Sequence, residues 1–334
     1  MTRISCSIPL DAPGRHIGQL GVPFSDDAHA YGVIPVPIAV LGGRSGPTVL
    51  LSAGVHGDEY EGQIVLRRLL REVDTTQLGG RLILLPALNL PAVRAARRCS
   101  PIDGANMNRA FPGDADGGPT AQLAHFVEQE LLARCQAAVD LHSGGTASEY
   151  LPCAYVYAGG PMAEAKTGLA HAFGAPLAVV VGATAETRSL SAACERGGVP
   201  MIAAELGGGA RVDAGALAVA DGGTRAVLRH LGMLPAEPGD AARRTRFVQV
   251  PGRAHFLMCP TAGLFEPLVV LGETVEAGAL AGWVHDVDDP AVAPVGVRFA
   301  APGIVVARRL PALARRGDYL FTTAVETAAA MDRA

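Results

Sequence analysis

The sequence predicts an α/β fold, a parallel or mixed sheet covered on both faces by helices, with a smaller all-β unit at the C-terminus. Two observations carry this. From Pro35 to about Leu234, short apolar runs rich in Val, Ile and Leu alternate with amphipathic stretches, which is the pattern of a helix-covered sheet. The segment Leu234-Pro235-Ala236-Glu237-Pro238-Gly239-Asp240 then breaks the pattern. Beyond it, short strand-like runs are separated by Gly, Pro and Asp turns. The division falls near residue 240, giving an α/β domain over residues 1–240 and a β domain over 241–334.

Taken in order, residues 48–53, 81–85, 137–141, 177–181 and 201–204 read as short buried strands. Residues 61–72, 120–134, 162–173 and 213–231 read as helices. In the first of these, Ile64, Val65, Leu66, Leu69 and Leu70 form an apolar face suited to packing on a sheet. In the second, Leu123, Phe126, Val127, Leu131 and Leu132 do the same. After the linker, residues 246–250, 256–259, 268–270 and 303–307 read as strands of the smaller unit.

Composition narrows the class. The 334 residues are 49% hydrophobic and 18% charged with a formal net charge of -4, which describes a globular chain with a large core. Mild acidity gives no electrostatic basis for binding nucleic acid or an anionic membrane. Six cysteines without a C-x-x-C pair or framework spacing read as reduced thiols. With no signal-peptide apolar region and no run of membrane-spanning length, a cytoplasmic protein is expected, and a homo-oligomer is left open.

Two apolar runs end in the residues that carry chemistry. One passes through Leu50-Leu51-Ser52-Ala53-Gly54-Val55 into His56-Gly57-Asp58-Glu59, and the other runs from Ala137 through Asp140 to His142-Ser143-Gly144-Gly145. Each delivers an imidazole to the carboxyl edge of a sheet, where open α/β folds place their sites. Two histidines and a carboxylate are the ligand set of a catalytic zinc that keeps a position open for water. Either histidine alone would read as a core residue; the pair, with Glu59 three residues from His56, points to Zn²⁺, one per chain. Asp140 shares a strand face with His142, so it either fixes the imidazole tautomer or bonds backbone at the strand end.

Three further positions stand out. Asn108 and Arg109, in a polar, glycine-containing run, make a donor fork suited to a carboxylate, with a structural ion pair as the alternative. Glu205 ends the apolar run Met201-Ile202-Ala203-Ala204 and precedes Leu206-Gly207-Gly208-Gly209. A carboxylate there is placed as a general base, and if buried it must serve chemistry or meet a cation. The glycine run is not a phosphate loop, because no Lys-Ser/Thr follows and no G-x-G-x-x-G opens a helix.

His56-Gly57-Asp58-Glu59, Asn108-Arg109, His142 and Glu205, in this order and over nearly the whole chain, resemble the succinylglutamate desuccinylase/aspartoacylase family. The resemblance implies a zinc-dependent amidohydrolase with a carboxypeptidase-like catalytic domain and a smaller, barrel-sandwich, lipoyl-like β domain. The segment Thr261-Ala262-Gly263-Leu264-Phe265-Glu266-Pro267 with Gly317-Asp318 carries the β-domain likeness, and its lack of lysine argues against a swinging-arm carrier. The runs Ser100-Pro101-Ile102-Asp103-Gly104 and Glu205-Leu206-Gly207-Gly208-Gly209 are similar to members that act on acetylated diaminobutyrate in ectoine breakdown.

The resemblance implies that His56, Glu59 and His142 hold zinc, Glu205 acts as general base and then acid, and Asn108 and Arg109 hold the carboxylate of a small N-acyl amino acid. Aspartoacylases carry another arginine just before the Asn-Arg pair. Ser100-Pro101 fall there in this chain, so Arg97 and Arg98 become the open candidates for the scissile carbonyl. Glu149 lies where such relatives have an acidic residue and is expected to select a basic side chain, with a solvated loop glutamate as the alternative. A zinc carboxypeptidase and a non-catalytic binding protein on the same fold are the rival functions.

Overall fold

The computed structural model describes residues 3–157, 159–182, 186–237 and 244–327. A large mixed sheet runs through the molecule. At its centre, strands Gly79–Leu85, Arg44–Ala53, Ala137–His142 and Met201–Glu205 lie side by side and parallel, in that spatial order. Cys153–Tyr157 pairs antiparallel with Met201–Glu205, and Leu177–Val181 continues the sheet beside it. The second half of strand Arg44–Ala53, from Val49 on, is apolar but for Ser52 because it is covered on both sides. Val49, Leu51 and Ala53 face a core completed by Val65, Leu66 and Leu69 of helix Glu61–Glu72. Leu50 faces a second core with Leu123, Phe126 and Val127.

Several expectations need correction. Residues 120–134 are not one α-helix: an α-helix spans Pro119–Phe126, a π-helical turn Val127–Leu131 and a 3₁₀ turn Leu132–Arg134. The wide turn followed by the tight one keeps Leu123, Phe126, Val127, Leu131 and Leu132 all in one core, so the apolar face survives the change of helix type. Residues 268–270 are not a strand. Leu268 and Val270 are exposed and only Val269 is buried, so the segment has one inward side chain and closes a turn through Val270 N and Glu273 Oε2.

The N-terminal region supplies a long antiparallel hairpin, Gly14–Asp26 with His29–Gly42, that extends the sheet past Gly79–Leu85. Helix Leu190–Gly197 and strands Cys153–Tyr157, Gly263–Pro267, Leu280–His285, Val295–Arg298 and Tyr319–Glu326 also belong to the fold without having been anticipated.

The expected boundary at residue 240 lies outside the described residues. Past it, strand Arg246–Gln249 pairs parallel with Leu177–Val181, and Tyr319–Glu326 and Gly303–Arg309 extend the same sheet. A separate four-stranded antiparallel sheet is formed by Val295–Arg298, Leu280–His285, Gly263–Pro267 and Leu313–Ala314. Its core contains Phe265, Phe299 and Phe321. Among the described residues, no helix is long and apolar enough to cross a membrane.

Candidate active site

The parallel registers decide where the chemistry meets. Ser52 lies opposite Asp140, and His142 opposite Glu205, so three adjacent strands end together at one sheet edge. The chain leaves Ala53 through Gly54, which takes a left-handed φ of 66°, and turns to present His56. Gly57 is required next: a Cβ there would stand 2.0 Å from the carbonyl carbon of Ala92. That close approach lets His56 and Glu59 project into the same site.

There, His56 Nδ1 lies 2.7 Å from Glu59 Oε1 and His142 Nδ1 lies 2.9 Å from Glu59 Oε2. All three residues are buried, and their donor atoms lie within 4.8 Å of one another. The outer ring nitrogens face acceptors. His142 Nε2 is 2.7 Å from Asp140 Oδ2, whose other oxygen accepts from Ser52 Oγ at 2.6 Å. His56 Nε2 is 3.2 Å from Asn106 Oδ1, which also accepts from the Asn108 amide.

An imidazole whose Nε2 proton is engaged in this way has a lone pair on Nδ1. Arg98 Nη1 at 3.3 Å from His56 Nδ1 fits that tautomer. In the metal-free chain, positive charge among these atoms comes from the proton that Asp140 and Glu59 favour on His142 and from Arg98 Nη1, 3.5 Å from Glu59 Oε1; a bound cation takes that place once the Nδ1 lone pairs are free. The donor set thus fits a divalent metal such as Zn²⁺, with Asp140 and Asn106 fixing the rings from behind.

The electrostatics report the same strain. Burial opposes charge on Glu59, yet the two imidazoles bring it down to about 2. Burial opposes charge on His142, yet Asp140 and Glu59 raise it well above its ordinary value; burial lowers His56. Glu205 behaves in the opposite way. Burial pushes its carboxyl up to about 8, with His142 opposing and Glu59 adding to the rise. Its Oε2 is buried and has no hydrogen-bond partner among the described residues.

The site opens into a cavity of about 550 Å³ lined by His56, His142, Glu205, Arg98, Asn108 and Arg109, among others. Asn108 Oδ1 accepts from the Leu190 amide at 3.0 Å, leaving its NH₂ group as the donor end. Arg109 Nε pairs with Glu186 Oε2 at 2.8 Å. Of the two upstream arginines, Arg98 lines the cavity and Arg97 does not.

Glu149 is a correction. Its carboxylate accepts from Arg308 Nε at 2.8 Å and Arg211 Nη2 at 2.8 Å, and it does not line the cavity. It sits in strand Ser148–Tyr150, which pairs with Gly303–Arg309 of the C-terminal unit and bridges to Gly208 after Glu205. Sequence reasoning passed over Ser52, Asn106 and the cavity tyrosines Tyr150, Tyr155 and Tyr157. Ser52 carried a readable signal, a lone hydroxyl in an apolar strand; the others depend on long-range packing.

The architecture matches known proteins. A family model for the succinylglutamate desuccinylase/aspartoacylase catalytic domain matches residues 45–231. The chain is 35% identical, over 94% of its length and 93% of the relative's, to an N-alpha-acetyl-L-2,4-diaminobutyric acid deacetylase of Halomonas elongata. A crystal structure of a succinylglutamate desuccinylase/aspartoacylase from Rhodobacter sphaeroides superposes with a TM-score of 0.92 at 37% identity, covering 98% of this chain and 99% of that one. The product-bound ectoine utilization protein EutE (DoeB) from Ruegeria pomeroyi gives 0.93 at 36% identity, covering 97% and 99%. By sequence, by fold and by the residues at this sheet edge, the chain belongs to the succinylglutamate desuccinylase/aspartoacylase family.

Proposed function

We propose that the protein is a Zn²⁺-dependent hydrolase that cleaves the amide bond of a small N-acyl amino acid, with an Nα-acetylated 2,4-diaminobutyrate as the substrate type and ectoine breakdown as its setting. One observation carries the chemistry. The two Nδ1 atoms and the Glu59 carboxylate converge beside Glu205, a carboxyl pushed up to about 8 by burial. The substrate type follows the likeness to the Halomonas elongata deacetylase and to EutE.

Zinc held by His56, Glu59 and His142 would supply Lewis acidity to a water molecule and to the scissile carbonyl. Glu205 takes the proton of the attacking water as the C–O bond forms. It returns that proton to the amide nitrogen as the C–N bond breaks, releasing a carboxylic acid and a free amine. Arg98, the arginine that reaches the site, donates to the carbonyl oxygen as negative charge builds there. Asn108 and Arg109 hold the substrate carboxylate and so fix the amide in place. Asp140 and Asn106 keep the imidazoles in the ligating tautomer.

In the same reading, residues 1–240 form the catalytic, carboxypeptidase-like domain and 241–334 a barrel-sandwich, lipoyl-like domain. The six free cysteines suit a cytoplasmic location. A panel of N-acetyl and N-succinyl amino acids, with acid and amine quantified together, tests the assignment. Equal release of acetate and 2,4-diaminobutyrate from the acetylated compound is expected. Preference for acetylaspartate or succinylglutamate would overturn the substrate, and release of C-terminal residues from peptides would turn the enzyme into a carboxypeptidase.

A further inference from the structure

The cavity contains a charge arrangement that bond cleavage does not use. Arg109 Nε and Glu186 Oε2 stand 2.8 Å apart on its wall, and the Glu186 side chain is 28% and that of Arg109 44% exposed. A ligand therefore reaches both without opening a packed core. The other carboxylates that line this cavity are already assigned. Asp140 serves His142 and Ser52, Asp58 Oδ2 accepts from Thr146 N and Oγ1, and Glu205 stands at the reacting centre. Glu149, the acidic residue that the sequence suggested for a basic side chain, is paired with Arg308 and Arg211 and does not line this cavity.

Glu186 also borders a neighbouring cavity containing Lys166, the only lysine of the chain. Lys166 does not compete for Glu186, because its ammonium is buried against Glu195 Oε2 at 3.0 Å and the Gly159 carbonyl at 3.1 Å. Glu186 Oε1 accepts from the Arg188 amide at 2.8 Å and from Arg188 Nε at 3.3 Å, which leaves Oε2 turned toward Arg109.

We propose that Arg109 and Glu186 form a two-charge subsite for an amino acid bearing both a carboxylate and a side-chain ammonium: Arg109 takes the carboxylate and Glu186 takes the ammonium. The proposal rests on the N-acyl amino acid reading above. Its physical basis is exchange of partners. Without ligand, the two residues neutralise each other and neither charge is stranded. A substrate carrying both signs replaces one ion pair by two. A substrate with a carboxylate alone takes Arg109 from Glu186 Oε2 and returns no cation to that oxygen, while Arg188 stays on Oε1. Selectivity for the cationic side chain thus comes from the contact regained at Glu186 Oε2.

Nα-acetyl-2,4-diaminobutyrate and Nα-acetyl-2-aminobutyrate share a carbon chain and differ in the side-chain ammonium, so the ratio of their kcat/KM values reads this subsite. Glu186→Gln is expected to lower that ratio by about 10-fold or more, the scale of a charge-assisted hydrogen bond, mainly through KM of the cationic compound. Glu149→Gln is expected to leave the ratio at the wild-type value. An unchanged ratio in Glu186→Gln, or collapse of the ratio in Glu149→Gln instead, overturns the proposal. Calorimetric binding of free 2,4-diaminobutyrate and 2-aminobutyrate to the zinc-loaded wild type and Glu186→Gln gives a second readout. If wild type hydrolyses neither acetyl compound, the hydrolase reading fails. The subsite is then decided by binding alone: equal affinities of wild type for the two amino acids refute it, and a preference lost in Glu186→Gln supports it.

Discussion

At the scale of single residues, the site is a problem in placing like charges. Glu59 and Glu205 are carboxylates around one pair of imidazoles, and their environments drive them in opposite directions, down to about 2 and up to about 8. Such a split assigns roles: the lowered group is a ligand and the raised group exchanges protons. Glu205→Gln should therefore retain zinc and substrate affinity but lower kcat by at least about 10²-fold. Loss of zinc with unchanged turnover per bound ion would make Glu205 a ligand instead. The raised carboxyl also predicts a pH dependence of stability. Below about 4.5, its unperturbed value, both folded and unfolded chains keep this proton. Between about 4.5 and about 8 the unfolded chain has lost it while the folded one retains it, so rising pH erodes the stability of metal-free protein, and above about 8 the loss levels off. The melting temperature of metal-free Glu205→Gln should accordingly gain on that of wild type between pH 5 and pH 8. A difference that stays constant across that range contradicts the burial of this carboxyl. His56→Ala and His142→Ala should each lose the bound zinc, about one per chain, with far-UV circular dichroism largely retained.

At the scale of elements, the site depends on three segments held in register. The loop after His142 and the loop after Glu205 are stitched together by Gly144 N to Gly207 O, Tyr150 N to Gly207 O and Gly209 N to Gly145 O. Strand Gly303–Arg309 closes the third side, with Glu149 bonding Arg308 across the ladder and Arg211 along the loop. Glu149→Gln or Arg308→Gln should loosen both loops and lower kcat by about 10-fold or more for every substrate, as misplacement of catalytic groups does. In a double-mutant cycle the two losses should be strongly non-additive; full additivity would show that the pair does not act as a unit. This latch also shows where sequence reading stops. The strand ends carrying His56, His142 and Glu205 were legible because apolar runs terminating in chemistry-bearing residues are local patterns, and helix Glu61–Glu72 was legible from its apolar face. The position of Glu149 was legible but its partners were not, since Arg308 lies 159 residues away. The N-terminal hairpin escaped because its strands are exposed over much of their length and interrupted by Pro23, Pro35 and Pro37, which leaves only the short apolar run Ile38-Ala39-Val40-Leu41.

At the scale of the whole molecule, the C-terminal strands are part of the body that carries the site. One apolar cluster joins Cys153, Leu177 and Val179 to Val248, Ile304, Val306 and Ala324 across the linker. Removing residues 244–334 would expose that cluster and the long edge of Leu177–Val181. The shortened chain should aggregate or lose a cooperative thermal transition; a soluble fragment with native zinc content and melting temperature would show that the sheet needs no such closure. The central claim, that the two histidines and Glu59 hold the metal on which amide hydrolysis depends, meets its most direct test in metal removal and return. Protein stripped by a chelator should release no acetate from Nα-acetyl-2,4-diaminobutyrate, and adding Zn²⁺ should restore turnover in proportion to metal bound, saturating near about one ion per chain. Undiminished acetate release by stripped protein, or none by the zinc-loaded protein, would contradict the account.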